Sequence, residues 1–366
     1  MEQNHRSINI FRLLLKAGVL FVLFNFAFVF VNTESLGKVS LYNSVFPGRE
    51  RFPFGEIRES YNLSLYNLDA MFASHIISGT DKAQDEYRVI LIGDSSVWGT
   101  LLTPEETLAG QLNAAPVTAC GKNVRVYNLG YPTISLTKDL MILDQAMDYQ
   151  PDMVVWLTTL EAFPTDKQFA SPLVANNAER VRDLISRYRL SADANDSALV
   201  DPSEWDQTFV SQRRALADLL RLQVYGALWS STGIDQIYPE NYERAQTDLE
   251  ASEEFQGSTT IQGALAFDVL EAGMSADTTM LLVNEPMLIS DGLNSDVRYN
   301  FFYPRGAYDE YRSMLSGLAA KNNWNYLDLW NLVPASEFTN SAIHLTPYGE
   351  SLLADEIAKS FQTNCK

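Results

Sequence analysis

Residues 87–95 read Tyr87-Arg88-Val89-Ile90-Leu91-Ile92-Gly93-Asp94-Ser95, a short apolar run that ends at a glycine and leads into a serine. A β-branched run of this length is typical of a strand that is buried on both faces, as in a parallel sheet. The glycine directly after it predicts a tight turn. Because ligands bind outside the carboxyl ends of the strands in such sheets, Ser95 is expected to face a cleft at a strand-to-helix turn.

The rest of the main domain repeats this alternation of strand and helix patterns. Apolar runs at 124–129, 153–157, 279–283 and 325–329 alternate with helical patterns at 104–113, 137–149 and 308–322, and a last helix begins near Thr346. Strands separated by helices in this way form right-handed parallel units. The sequence therefore predicts an α/β fold, a three-layer α/β/α sandwich with a mainly parallel, flavodoxin-like sheet.

Two segments depart from this alternation. Between about 166 and 275 the strand signal fades, while 178–190 and 204–229 show helical spacing, which predicts a helical insertion. This insertion is interpreted either as a substrate cap or as a surface elaboration packed on the sheet. Residues 34–85 have no sustained period and are predicted to be a juxtamembrane connecting segment, so the main domain covers 86–366.

A long apolar run at the N-terminus predicts a membrane anchor. It covers residues 10–31, is interrupted only by Arg12, Lys16 and Asn25, and is long enough to span a bilayer. The two basic residues near its start favour a cytoplasmic N-terminus, so residues 1–33 are predicted to be a signal anchor with an extracytoplasmic domain behind it. The alternative is a cleaved signal peptide, although Val31-Asn32-Thr33 is a poor cleavage site.

Composition excludes several classes of protein. The 46 acidic and 27 basic side chains leave a net charge of −19, which repels phosphate backbones, so no nucleic-acid partner is expected. Cys120 and Cys365 are too few for a disulfide framework or a cysteine metal site. The three histidines do not stand at metal-ligand spacings from one another, so neither a histidine-rich metal centre nor a cofactor is predicted.

A histidine near the carboxyl end is the candidate partner of Ser95. Ile343-His344-Leu345-Thr346-Pro347 stands directly before the last predicted helix, where a lone histidine is often only a solvated or capping residue. A neutral imidazole can take the proton of a serine hydroxyl and later return it to a leaving group. Ser95 and His344 are therefore the candidate nucleophile and base. Asp94 is expected to bond amides of its own turn, and Asn284-Glu285-Pro286 to form a turn.

With Gly93-Asp94-Ser95 at its start and His344 near its end, residues 86–363 resemble the SGNH (GDSL-like) hydrolase family. The resemblance implies a serine-dependent hydrolase that needs no cofactor. It also implies an oxyanion hole formed by the Ser95 N–H, the N–H of Gly130 in Tyr127-Asn128-Leu129-Gly130, and an asparagine after the third strand. Such donors stabilise the charge that develops on a carbonyl oxygen.

Two positions depart from the family pattern. Where a Gly-x-Asn is expected after the third strand, the chain has Leu157-Thr158-Thr159-Leu160-Glu161, in which Thr158 or Thr159, with Thr159 preferred, could only partly replace the missing amide donor. Where an Asp-x-x-His is expected, Ser341 stands at the acid position, with Asn340 and Glu337 nearby. The residue that orients His344 is therefore left open among these three.

The anchor and these departures are similar to those of SGNH-like proteins attached to membranes, which act with acyl-transfer machinery in alginate O-acetylation and teichoic-acid D-alanylation. The resemblance implies a membrane-anchored, extracytoplasmic serine esterase or O-acyltransferase that acts on acyl esters of a surface glycan or polymer. A membrane-bound acyltransferase is the partner it implies. The missing asparagine and aspartate also fit the alternative of a catalytically silent domain that binds a glycan or such a partner.

Overall fold

The computed structural model describes residues 9–54, 63, 66–234, 238, 260–292 and 294–362. Parts of three predicted segments lie outside these residues: the tip before the anchor at 1–8, the connecting segment at 55–62, 64 and 65, and the insertion at 235–237 and 239–259. The structural statements below concern the described residues.

A six-stranded sheet forms the centre of the molecule. Its strands are β1 Glu86–Ile92, β2 Thr118–Ala119, β3 Lys122–Asn128, β4 Met153–Thr158, β5 Thr279–Asn284 and β6 Asn325–Asp328. The spatial order is β2-β3-β1-β4-β5-β6, with all pairs parallel except the short β2–β3 pair. The α/β prediction with a mostly parallel sheet is confirmed, and β2 is the strand that the sequence did not predict.

Each strand of the sheet centre serves two cores. In β1, Ile90 and Ile92 enter one buried cluster, whereas Val89 and Leu91 enter the other. Successive side chains of a strand point to opposite faces, so a run that is apolar throughout requires cover on both faces. Helices supply that cover.

Thirteen helices surround the sheet in the described part of the chain. They are α1 Ile10–Phe28, α2 Thr33–Leu36, α3 Leu41–Val45, α4 Leu68–Ser74, α5 Ser95–Trp98, α6 Leu108–Ala114, α7 Leu136–Ala146, α8 Pro172–Ala175, α9 Ala178–Tyr188, α10 Phe209–Thr232, α11 Phe267–Met274, α12 Arg305–Asn322 and α13 Pro347–Phe361. Helices α8 to α11 occupy the predicted insertion, and α9 and α10 follow the two patterns predicted there.

The central position of β1 determines where a cleft forms. The chain leaves β1 towards β3 on one side and then returns to β4 on its other side. Loops that follow neighbouring strands diverge at such a switch point and open a crevice beyond the carboxyl ends of the strands. Ser95 lies directly beyond the end of β1 and therefore at this crevice.

Helix α1 is apolar and almost fully exposed. Among the described helices it alone is long and apolar enough to cross a membrane, although a signal sequence near an N-terminus has the same properties. Its one buried residue is Asn25, whose Oδ1 accepts a hydrogen bond from the Val210 N–H at 3.0 Å. The ring of Phe209 packs against Phe24 and Phe28 at centroid distances of 5.2 and 5.4 Å. The end of α1 is thus packed against the start of α10.

We expect a chain that lacks residues 1–33 to keep its sheet. Helix α1 contributes no side chain to either core, so its removal leaves the packing of the sheet intact. The shortened protein should stay in solution without detergent, because the apolar helix that gives membrane affinity is gone. Far-UV circular dichroism and a thermal unfolding curve test this, and loss of the cooperative transition would show that α1 belongs to the folded domain.

Candidate active site

The candidate nucleophile lies at the start of a one-turn helix. Ser95 is the first residue of α5, and Asp94 caps this helix by accepting a hydrogen bond from the Ser96 N–H at 2.8 Å. The turn ends at Gly99, which has a φ of 85° that favours glycine. Gly93 is also required, because a Cβ there would lie 2.5 Å from Val97 Cγ2. These local contacts hold Ser95 in one orientation.

His344 meets Ser95 although 249 residues separate them. Its Nε2 lies 2.7 Å from Ser95 Oγ, which is within the reach that proton transfer needs. The loop of His344 is held by an antiparallel bridge between Phe338 and Leu345, and the Thr339 N–H donates to the His344 carbonyl at 2.8 Å. The structure thus places the candidate nucleophile and the candidate base in direct contact.

Asn340 is the third member of this constellation. Its Oδ1 lies 2.7 Å from His344 Nδ1, so a proton on Nδ1 leaves Nε2 free to accept the proton of Ser95. Among the described residues no hydrogen bond joins Ser341 to His344, and the Glu337 carboxylate instead accepts from the Thr346 hydroxyl. Of the three residues left open by the sequence, Ser341, Asn340 and Glu337, the structure thus has Asn340 bonded to the imidazole.

The environment of His344 keeps its ring neutral. Burial lowers the pKa of His344 to about 4, because the charged imidazolium is poorly solvated there. Asn340 holds the tautomer, but its amide has no negative charge with which to stabilise the imidazolium. The imidazole is therefore neutral and able to accept a proton at neutral pH. The imidazolium that forms is stabilised less by Asn340 than it would be by a carboxylate.

The three predicted oxyanion donors differ in their contacts. The Ser95 N–H, in the first turn of α5, has no acceptor among the described residues, as is usual for the start of a helix. The Gly130 N–H donates to Asn128 Oδ1 at 3.0 Å, and the Thr159 hydroxyl donates to the Tyr303 hydroxyl at 2.8 Å. Only the Ser95 amide is thus free in the described structure to bind an oxyanion.

Gly130 and Thr159 nevertheless lie on the loops after the two strands that flank β1. A Cβ on Gly130 would lie 2.5 Å from the backbone nitrogen of Trp98, so the loop after β3 packs directly on α5. On the other side, Ile92 of β1 pairs with Trp156 of β4, so the chain segments of Ser95 and Thr159 leave the sheet at the same edge. Asn128 also donates to the Val97 carbonyl at 2.7 Å. Its amide therefore ties the second oxyanion candidate to the nucleophile helix.

Lys138 is a buried residue of this site that the sequence did not reveal. Its Nζ donates to the carbonyls of Gly93 at 2.7 Å and Tyr131 at 3.2 Å, and it pairs with Asp139 at 2.5 Å. It thereby joins the loop that precedes Ser95 to the loop that contains Gly130. A lysine within an amphipathic helical pattern resembles a solvated side chain, so no local signal marks it.

Glu285 supports the nucleophile turn from β5. It follows this strand directly, is buried, and accepts a hydrogen bond from the Ser96 hydroxyl. Burial raises the pKa of Glu285 well above its usual value, and the nearby Asp94 carboxyl raises it further. The sequence had indicated only a turn into Pro286 here. Glu350 of α13 is also buried, which raises its pKa to about 8.

No metal site accompanies these groups in the described residues, where no cluster of three or more His, Cys, Asp or Glu side chains could bind an ion. The groups that lie together at this site are a hydroxyl, a neutral imidazole and a helix amide without an acceptor among the described residues. Together these groups can perform nucleophilic attack on an acyl carbon.

Among known proteins, the chain is similar to solved structures at low sequence identity. No family model and no curated protein matches the chain. A member of the lipolytic protein G-D-S-L family from Veillonella parvula DSM 2008 is 12% identical at a TM-score of 0.33, covering 76% of this chain and 99% of that chain. A carbohydrate acetylesterase family member from Sinorhizobium meliloti is 12% identical at 0.33, covering 75% and 96%. The M. smegmatis aryl esterase is 15% identical at 0.32, covering 75% and 97%.

The neighbours are thus a lipolytic G-D-S-L protein, a carbohydrate acetylesterase family member and an aryl esterase. At TM-scores of this size, they carry no function over to this chain.

Asn340→Asp should raise both the activity and the pKa of His344. A carboxylate beside Nδ1 favours the imidazolium and should move the acid limb of kcat/KM from about pH 4 to higher pH by roughly 1–3 units. Since loss of the triad aspartate costs a serine protease about 10⁴ in rate, regaining part of that factor predicts at least a roughly tenfold gain at pH 8. The pH profile on a small aryl ester measures both effects.

Ser341→Asp is the matched control for this substitution, because it adds the same charge one residue away without a hydrogen bond to the ring. It should move the acid limb less than Asn340→Asp does. Equal shifts in the two variants would mean that Asn340 does not orient the imidazole.

The free energy of unfolding should fall as the pH rises from 5 to 8. A glutamate whose pKa is about 8 in the folded state and near 4.5 when unfolded stabilises the fold below the lower value, and this stability is lost as the pH rises through the higher one. Glu350→Gln should reduce the fall by roughly 3 kcal/mol. Urea denaturation at both pH values tests this, with Glu310→Gln at an exposed site as control. An unchanged slope in Glu350→Gln would contradict a protonated Glu350.

Proposed function

We propose that this protein is a serine-dependent esterase or O-acyltransferase of the SGNH type. The observation that supports this best is the 2.7 Å contact between Ser95 Oγ and His344 Nε2 at the carboxyl edge of a parallel sheet. Nucleophile, base and ring-orienting residue lie in hydrogen-bond contact with one another, which is the arrangement that covalent acyl catalysis requires.

The proposed reaction has two half-reactions. Ser95 Oγ attacks the ester carbonyl while its proton moves to His344 Nε2, and the Ser95 N–H stabilises the developing oxyanion. The C–O bond to the leaving alcohol then breaks, and His344 returns the proton to that alcohol. Water or an acceptor hydroxyl attacks the acyl-serine by the same steps in reverse, which gives hydrolysis in the first case and transfer in the second.

Binding of the substrate would complete the oxyanion hole. Gly130 packs on the helix that begins at Ser95, but its N–H is occupied by Asn128 Oδ1. A carbonyl oxygen that develops full charge is a stronger acceptor than a neutral amide, so it can compete for this N–H in the transition state. We propose that Gly130 contributes in this way, and that Thr159 contributes only if its bond to Tyr303 opens.

We further propose that the catalytic domain is anchored to a membrane by α1 and lies outside the cytoplasm. The length and apolar surface of α1 support an anchor. An acyl ester of a surface glycan or polymer is the proposed substrate, and a membrane-bound acyltransferase is the proposed partner.

A catalytically silent domain that binds such a glycan or partner is the second candidate. It is favoured by the neutral Asn340 at the position of a triad acid and by the engagement of two of the three oxyanion donors. The two candidates differ in the reactivity of Ser95.

A fluorophosphonate probe should label the wild-type protein on Ser95, because the neutral His344 activates the hydroxyl. Ser95→Ala should abolish both labelling and hydrolysis of a small aryl ester. Ser341→Ala, which removes a serine of the same loop that has no bond to His344, should retain both. Absence of labelling in the folded wild-type protein would favour the silent domain, and labelling that persists in Ser95→Ala would exclude Ser95 as the nucleophile.

A further inference from the structure

The polar interruption of α1 has a specific partner. Asn25 lies in the last turn of α1, in the apolar part of the helix that follows Arg12 and Lys16, and its Oδ1 accepts a hydrogen bond from the Val210 N–H in the first turn of α10. A polar residue inside a membrane-crossing helix is costly unless it is satisfied, so such a residue usually marks a functional contact. Here the contact joins the anchor to the catalytic domain.

The segment after α1 strengthens this junction along α10. The Thr33 hydroxyl donates to Gln212 at 3.0 Å, and the Leu41 N–H donates to Gln223 at 2.7 Å. Further on, the Ser230 hydroxyl donates to the Pro47 carbonyl at 3.1 Å. Residues 33–47 therefore follow α10 over most of its length. The segment after α1 is therefore packed along α10 and is not a flexible linker.

If α1 crosses a bilayer, its length places the start of α10 at the outer surface of that bilayer. Nineteen residues span roughly 28 Å, close to the thickness of the hydrocarbon layer of about 30 Å. When α1 crosses a bilayer, Asn25 and Phe28 therefore lie near the outer boundary of that layer. The first turn of α10 is bonded to Asn25 and must lie at the same level.

The turn before α10 exposes apolar side chains at this level. Trp205 is 66% exposed. Its carbonyl accepts a hydrogen bond from the N–H of Thr208, the residue directly before α10. Val200 is 49% exposed and lines a groove of about 550 Å³ together with Phe30 and Val31 from the end of α1. Exposed tryptophan at the boundary between apolar and polar layers is typical of membrane interfaces.

Charges near this turn limit how deep it can lie. Asp201 is paired with Arg182 at 2.6 Å, and Asp206 accepts from Ser203, so two of its carboxylates are already satisfied. Arg213 and Arg214, exposed on α10, supply cations that suit lipid phosphates. A depth in the headgroup layer satisfies these charges and still lets Trp205 reach the apolar boundary.

We infer that residues 200–209 form a second membrane-contact site, which seats the catalytic domain on the outer lipid surface beside α1. This inference rests on the proposed membrane anchoring. With two contacts, the anchor and this turn, the domain has a fixed height and tilt over the bilayer. Ser95 is then held at one distance from the surface, which restricts the substrates to acyl esters presented at that height.

The test uses the full chain in phosphatidylcholine vesicles, with or without bromine on the acyl chains close to the headgroup. Bromine quenches tryptophans that touch the boundary of the apolar layer. Of the six tryptophans, Trp205 is the exposed one, whereas the others are buried or half-buried. Trp205→Phe should therefore remove at least about half of the quenchable emission. Trp324→Phe, directly before β6, should lower the total emission and leave the quenchable emission unchanged.

Flotation of the vesicles tests the membrane anchor separately from the second membrane contact. A chain that does not float with the vesicles would overturn both the membrane anchor and the second contact. A chain that floats but whose quenching is unaffected by Trp205→Phe would keep the anchor and overturn the second contact, leaving the exposed turn to a protein partner. Asn25→Leu should float like the wild type but show weaker quenching of Trp205, and unchanged quenching would overturn the role of Asn25.

Discussion

The position of β1 between β3 and β4 is the constraint on which the rest of the structure depends. Parallel neighbours on both sides force β1 to be apolar on both faces, and they bring the loops after all three strands to one edge. Ser95, Gly130 and Thr159 follow these strands and therefore converge although they are dispersed in the chain. The location of the crevice at this edge follows from strand order alone and does not depend on particular side chains.

Close packing then turns this edge into a defined geometry. Gly93 and Gly130 leave no room for a Cβ, which lets the loop after β3 lie against α5. Lys138 bonds carbonyls of both loops, and Glu285 holds the Ser96 hydroxyl from the opposite side. The same dry surroundings act in opposite directions on the ionisable groups, because burial penalises charge. They lower the pKa of His344 and raise those of Glu285 and Glu350.

The contact between α1 and α10 is also explained by the cost of an unsatisfied polar group. A helix with one amide among apolar residues would be expected to hide that amide, and α1 does so by capping α10. The polar group that interrupts the apolar run thus becomes a point of contact with the rest of the protein. The same nineteen-residue helix is the one proposed to anchor the chain.

Local patterns predicted most of the fold. The predicted run at 279–283 corresponds to β5 Thr279–Asn284, and the run at 87–92 to β1 Glu86–Ile92, because hydrophobic period and glycine positions are properties of adjacent residues. Strand β2 has only two residues, too few to show a period. The roles of Lys138 and Glu285 were not predicted because they depend on burial. Charged residues are usually exposed, so local sequence does not indicate that these two are buried.

The sequence by itself therefore determined the α/β fold and the candidate pair Ser95 and His344, since each follows from a short motif at the end of a recognisable element. Only the tertiary structure decided which residue orients the imidazole. The pairing of Phe338 with Leu345 folds the loop so that Asn340, and not Ser341, faces His344 Nδ1. It also decided that the Gly130 and Thr159 donors are engaged while the Ser95 N–H is free. Hydrogen-bond partners of this kind come from segments distant in the chain, so their choice depends on how those segments pack.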